Sequence, residues 1–240
     1  MARDCTRSAS LVESCRFRGT AEILALAKSA PLYMEANAYG HGWDDVRFST
    51  FRTELQSHVP YICRLQTSAE ALHLLSTLRG FVSPAPTLEY LSLHSHSRHP
   101  NRRARRTCPI PDTLFNGSTT RLSCIDVRYC YISWKSPLLK GLKHLEIFKS
   151  STNGRPDLTV WLDALDEMTQ LQTLILHAAS PIAHSLPFDV ERATTLPSLT
   201  RFDISGSPGD CALAFAHLDL PALTSLCLSA NLSGPHRDDV

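Results

Sequence analysis

Three histidines, His94, His96 and His99, stand beside five arginines at 98, 102, 103, 105 and 106, the densest run of chemistry-bearing side chains in this chain. His94 and His96, two apart, would share one face of a strand. A structural metal site, however, needs a full tetrahedral set, and no carboxylate or thiol falls at ligand spacing nearby. The eight cysteines, at 5, 15, 63, 108, 124, 130, 211 and 227, are scattered without a Cys-x-x-Cys pair. Cys63, Cys124 and Cys227 sit inside apolar patterns, so they read as small hydrophobes of a reduced intracellular chain rather than a disulfide framework. There is no Gly-x-Ser-x-Gly, no Walker-type or Gly-x-Gly-x-x-Gly phosphate loop and no His-Glu-x-x-His; Gly206-Ser-Pro-Gly209 reads as a turn. Acids and histidines are plentiful, yet no spacing gives any of them a role. The expectation is a non-enzymatic protein with no cofactor and no metal.

The arginines of 97–107 could serve as a nuclear-import signal or a phosphate patch, but such a run is more often a solvated loop, and nucleic acid is not an expected partner. They carry no interleaved aromatics, which argues against stacking on single-stranded nucleic acid. A net charge of +1 exerts no strong pull on polyanions. Hydrophobic residues at 43% and charged residues at 20% argue against global disorder. No apolar run approaches bilayer length and no signal-type stretch follows Met1, so an intracellular location, cytoplasmic or nuclear, is expected and a membrane partner is not.

What must position these side chains is a repeat. Six copies of one apolar signature recur: Leu88-x-x-Leu91-x-Leu93, Leu122-x-x-Ile125-x-Val127, Leu142-x-x-Leu145-x-Ile147, Leu171-x-x-Leu174-x-Leu176, Leu199-x-x-Phe202-x-Ile204 and Leu223-x-x-Leu226-x-Leu228. The steps between central positions are 34, 20, 29, 28 and 24 residues, mostly near the roughly 20–29 residue unit of a leucine-rich repeat. Cys130, with Ile132, takes the place of the capping residue after Val127, and Asn231 does so after Leu228. The pattern predicts an α/β leucine-rich-repeat solenoid, a curved parallel sheet with helices or loops on its convex side and irregular repeats.

Return segments read as helices at 157–168 and 69–78, with shorter turns at 136–142 and 210–217. Upstream, 30–37 and 60–67 read as two degenerate strands, each after a helix-like stretch (20–28 and 48–58), giving about eight strands in all. Residues 1–30 are expected to form a helical remnant or cap, 31–240 the solenoid, and 97–109 a basic insertion loop within it.

Alternation turns the intervening residues away from the core. The first outward row runs Tyr90, Cys124, His144, Thr173, Arg201, Ser225. The second is Ser92, Asp126, Glu146, Ile175, Asp203, Cys227, and the third His94, Arg128, Phe148, His177, Ser205, Ser229. From these rows the candidate protein-binding face is Tyr90, Ser92, His94, Asp126, Arg128, His144, Glu146, Phe148, Ile175, His177, Arg201 and Asp203, rich in the aromatic and arginine types that dominate interface energetics. The expected partner is a protein target on the concave sheet.

From Ser83 to Ser229 the chain also resembles the leucine-rich-repeat region of F-box proteins of mushroom-forming fungi (basidiomycetes). The phrases that carry the resemblance are Pro84-Ala-Pro-Thr-Leu-Glu-Tyr-Leu-Ser-Leu, Ile110-Pro-Asp-Thr-Leu-Phe-Asn-Gly, Tyr131-Ile-Ser-Trp-Lys-Ser-Pro-Leu-Leu-Lys-Gly-Leu, Leu158-Thr-Val-Trp-Leu-Asp-Ala-Leu-Asp-Glu-Met and Cys211-Ala-Leu-Ala-Phe-Ala-His-Leu-Asp-Leu-Pro-Ala-Leu-Thr-Ser-Leu. The resemblance implies the substrate-recognition subunit of an SCF-type (cullin-RING) ubiquitin ligase, whose F-box docks on the Skp adaptor while the repeats present the target. Residues 1–30 lack the Leu-Pro-x-Glu-Ile/Leu opening of an F-box. Skp docking is therefore expected only with an F-box upstream, the chain then being part of a longer coding sequence; the alternative is an orphan interaction protein without a ligase role.

Overall fold

A computed structural model of the chain describes residues 9–13, 30–37, 53, 55–96, 107–148, 155–182 and 192–230. These run as β1 (Ala9–Glu13), β2 (Leu32–Asn37), β3 (Ile62–Glu70), α1 (Ala71–Gly80), β4 (Tyr90–His96), β5 (Cys108–Pro109), β6 (Cys124–Arg128), β7 (Cys130–Tyr131), β8 (His144–Phe148), α2 (Leu158–Asp166), β9 (Thr173–His177), β10 (Thr194–Thr195), β11 (Arg201–Gly206), α3 (Pro208–Ala216), β12 (Leu218–Asp219) and β13 (Ser225–Ala230). Nine of the strands form one sheet in the order β1-β2-β3-β4-β6-β8-β9-β11-β13, and every neighbouring pair is parallel. The protein is an α/β structure built on this sheet.

Parallel neighbours require a return segment between them. The returns differ in kind. Between β3 and β4 it is α1, between β8 and β9 it is α2, and between β6 and β8 it is β7 with a 3-10 turn at Pro137–Leu139. In α2, Leu158, Trp161, Leu162 and Leu165 are buried, as their helical spacing predicts. Gly206-Ser-Pro-Gly209, expected as a turn, instead ends β11 and starts α3. The Ser207 hydroxyl accepts the Asp210 N–H at 3.2 Å and Pro208 occupies the first turn, where its missing N–H costs nothing.

Register fixes the core. Leu65, Leu91, Ile125, Leu145, Leu174, Phe202 and Leu226 lie side by side, as do Thr67, Leu93, Val127, Ile147, Leu176, Ile204 and Leu228. In the first rank every member from Leu65 to Phe202 is at most 1% exposed, whereas Leu226 on the edge strand is 43% exposed. One residue ahead of β4, β6, β8, β9 and β11 a carbonyl accepts twice from the next unit: Ser123 O takes the N–H of Lys143 and His144, and Lys143 O those of Gln172 and Thr173.

Two expectations are corrected. The segment 1–30, read as a helical cap, contributes β1, which pairs with β2 from Ala9↔Leu32 to Glu13↔Ala36. The insertion loop 97–109 closes earlier than expected. Cys108 pairs with Cys130 in the ladder β5–β7, and the Ile110 N–H donates to Tyr131 O at 2.8 Å. Cys108 and Ile110 thus occupy, beside Leu93, the places that Cys130 and Ile132 occupy beside Val127, and all four are buried. Residues 97–106, Asn231, the 20–28 stretch and most of 48–58 lie outside the described residues.

Leu145→Asp places a charge between two buried neighbours, Ile125 and Leu174. The expected cost is several kcal/mol, read as a lowered urea midpoint or loss of cooperative unfolding; a change under about 1 kcal/mol would mean that this rank is not core.

Candidate interaction face

Residues between the buried ranks point to the opposite side of the sheet. Register brings the expected rows together: Tyr90, Cys124, His144, Thr173 and Arg201 adjoin in turn, as do Ser92, Asp126, Glu146, Ile175 and Asp203, and His94, Arg128, Phe148, His177 and Ser205. Adjacent strands lie about 4.8 Å apart, so long side chains reach one another across the ladder.

They do so as a connected network. His94 Nε2 lies 3.1 Å from Asp126 Oδ2 and 3.1 Å from Ser92 Oγ, and the Ser92 hydroxyl donates to Asp126 Oδ2 at 3.4 Å. Arg128 bridges two strands, donating from Nε to Asp126 Oδ1 at 3.2 Å and from Nη2 to Glu146 Oε1 at 2.8 Å. His144 Nε2 stands 4.0 Å from the other Glu146 oxygen. Further along, the Phe148 ring meets Tyr129 edge-on at 5.6 Å and tilts against His177 at 5.2 Å. His177 Nδ1 in turn lies 2.8 Å from Ser205 Oγ. Arg201 grips Asp203 with Nε at 3.0 Å and with Nη2.

Side-chain bridging corrects the expected exposure. Ser92, Asp126, Ile175 and Asp203 were expected on an open surface, but all four are buried, Ser92 to 1%. They share the middle row with Glu146, and side chains of the flanking rows bond to three of them: His94 to Ser92 and Asp126, Arg128 to Asp126, and Arg201 to Asp203. Tyr90, His94, Arg128, His144, Glu146, Phe148 and His177 are half-buried and Arg201 is exposed, so these eight are the reachable part of the candidate face.

A sequence reading confined to the six clear repeats missed the face's continuation onto β3. Arg64, Gln66 and Ser68 pair with Tyr90, Ser92 and His94, and the Arg64 guanidinium stacks over the Tyr90 ring at 4.0 Å. The signal was present as Ile62-x-x-Leu65-x-Thr67, a copy of the signature with threonine in the last apolar place. A register shift beside Ile62 and Cys63, where Leu32↔Ile62 gives way to Tyr33↔Arg64, further disguised it.

The serine, histidine and aspartate are near one another but not arranged as a nucleophile relay. A relay uses the two ring nitrogens for different partners, whereas Ser92 and Asp126 crowd the same nitrogen of His94. Cys124 offers no thiolate near neutrality, since burial, with the Asp126 charge next, pushes its thiol up to about 11. No group of three or more His, Cys, Asp or Glu side chains is placed to hold a metal ion among the described residues. Nor, among them, is any helix long and apolar enough to cross a membrane.

Against protein-family models, curated proteins and solved structures alike, the chain finds no match.

Asp126 carries a pH signature. Burial alone would raise its carboxyl; the His94 hydrogen bond and the Arg128 charge outweigh that and hold it below its ordinary 3.8. A lowered folded-state value means stability present above that ordinary value and lost as pH falls through the folded one. Asp126→Asn is expected to cost about 1–3 kcal/mol at pH 7. The deficit should shrink in urea melts below pH 3.8. A deficit independent of pH would show that the charge plays no part.

Proposed function

We propose that the chain is a leucine-rich-repeat solenoid that binds protein without catalysing a reaction, and that it is the substrate-recognition part of an SCF-type ubiquitin ligase subunit. The observation that carries the repeat reading is the register: six copies of one signature, on six strands, stacked residue for residue in a single parallel sheet. A stacked unit leaves one face free of return segments, and that face here bears arginine and aromatic side chains, the types enriched where proteins meet. Such a scaffold works by proximity, holding a target beside a reactive centre that other subunits supply. The ligase assignment is supported by the resemblance of residues 83–229 to the repeat region of basidiomycete F-box proteins.

A second reading, an interaction protein without a ligase role, draws support from β1. That strand, within residues 1–30 where an F-box opening would stand, is part of the sheet. Co-purification with the Skp adaptor separates the two. Binding by a version extended upstream along its own coding sequence supports the ligase role; absence of binding by both that version and this chain removes it. For the face itself, a partner captured by the wild type should be lost with Tyr90→Ala plus Phe148→Ala and kept with Lys135→Ala, a return-segment change. Equal loss from both overturns the assignment of the face.

A further inference from the structure

We propose that the partner segment received by this face is acidic, carrying aspartate or glutamate side chains next to an apolar anchor; this rests on the reading of the face as a protein-binding surface. Both signs of charge are present there, but at different depths. The Asp126, Glu146 and Asp203 side chains lie low, at 12, 18 and 13% exposure, while Arg128 and Arg201 remain 41 and 54% exposed above them. Those carboxylates are already served from within: Asp126 by His94, Ser92 and Arg128, Glu146 by Arg128, Asp203 by Arg201. Each carboxylate is thus already paired within the fold and lies beneath the guanidinium groups that pair with it.

What the face keeps for an incoming chain is donor capacity. Arg64 is exposed and sits over the Tyr90 ring, its guanidinium carbon 4.0 Å from the centroid, with no carboxylate ion-paired to it among the described residues. Stacking of this kind holds the guanidinium plane while leaving its N–H edge free for a carboxylate. Nη1 of Arg128 and of Arg201 takes no part in the bonds just named. Phe148, between Tyr129 and His177, supplies the aromatic contact for an apolar side chain. From Arg64 on β3 to Arg201 on β11 the ladder crosses β4, β6, β8 and β9. At about 4.8 Å per strand that is roughly 24 Å, the span of about seven extended residues. A basic segment would meet three guanidinium groups first, with the carboxylates lying low and already paired beneath them.

The test uses the full chain and three fluorescent probes followed by anisotropy: a glutamate octapeptide with a central phenylalanine, its lysine counterpart, and a short oligothymidine. The glutamate peptide should bind, with affinity falling about tenfold between 50 and 300 mM salt. Arg64→Glu and Phe148→Ala should each weaken it by about tenfold at low salt, with the Tm of Arg64→Glu lowered by no more than about 4 °C, since within the fold only its contact with the Tyr90 ring is lost. Tighter binding of the lysine peptide, lost with Phe148→Ala, would overturn the acidic partner while leaving the face as a binding surface. Tighter binding of the oligothymidine, lost with Arg64→Glu, would replace it with a nucleic acid. Glutamate-peptide binding indifferent to both substitutions would overturn the site and, with it, the face reading. Binding of no probe would overturn the acidic partner alone, provided that capture of a cellular partner still depends on Tyr90 and Phe148.

Discussion

No strand of this protein buries its own apolar rank; each is covered by the rank beside it. Leu145 is dry because Ile125 and Leu174 flank it and because return segments such as α2 close the core beneath. Stability in such an arrangement is a sum of neighbour terms, and a fully buried leucine contributes about 1.5–3 kcal/mol. The constraint is visible where it ends: Leu226 and Leu228 occupy the same ranks in β13, yet on this edge strand they are exposed. The double acceptor repeated ahead of β4, β6, β8, β9 and β11 serves the same end, pinning each of these strands at one height against the next.

The register that packs the core also writes the opposite face. A slip of one residue would exchange the two faces, so the leucine ranks indirectly hold Arg128 between Asp126 and Glu146, and Phe148 against His177. Ionic side chains beside a sheet are costly to desolvate unless paired. Here the pairing is between strands, which makes the polar network a second set of neighbour terms laid over the first. It also sorts the charges by height, with carboxylates low and guanidinium groups high.

Much of this architecture was legible because the signature is written in residue types that tolerate one environment. Leucine and isoleucine at fixed offsets leave little freedom, and the strands carrying them fall where the pattern puts them. Legibility failed where another residue could do the same job. Thr67 replaces the last apolar residue in β3 and is buried all the same, so Arg64 was not recognised as part of the face. Cys108 reads as the end of a loop because β4, the sheet strand that its own short strand β5 follows, lies on the far side of an insertion. Depth on the face was not legible at all. Alternation states which side a residue points to, but Ser92 and Asp126 are buried by side chains contributed from other strands, a property of pairs that no single position carries.

Cys108 and Ile110 rejoin the stack at the height where the chain left it after His96. The arginine-rich stretch therefore falls between β4 and β5, each of which pairs with a strand further along the chain, β4 with β6 and β5 with β7. Loop closure grows only slowly more costly with length, so the β4–β6 and β5–β7 pairings on either side constrain the number of residues between β4 and β5 only weakly.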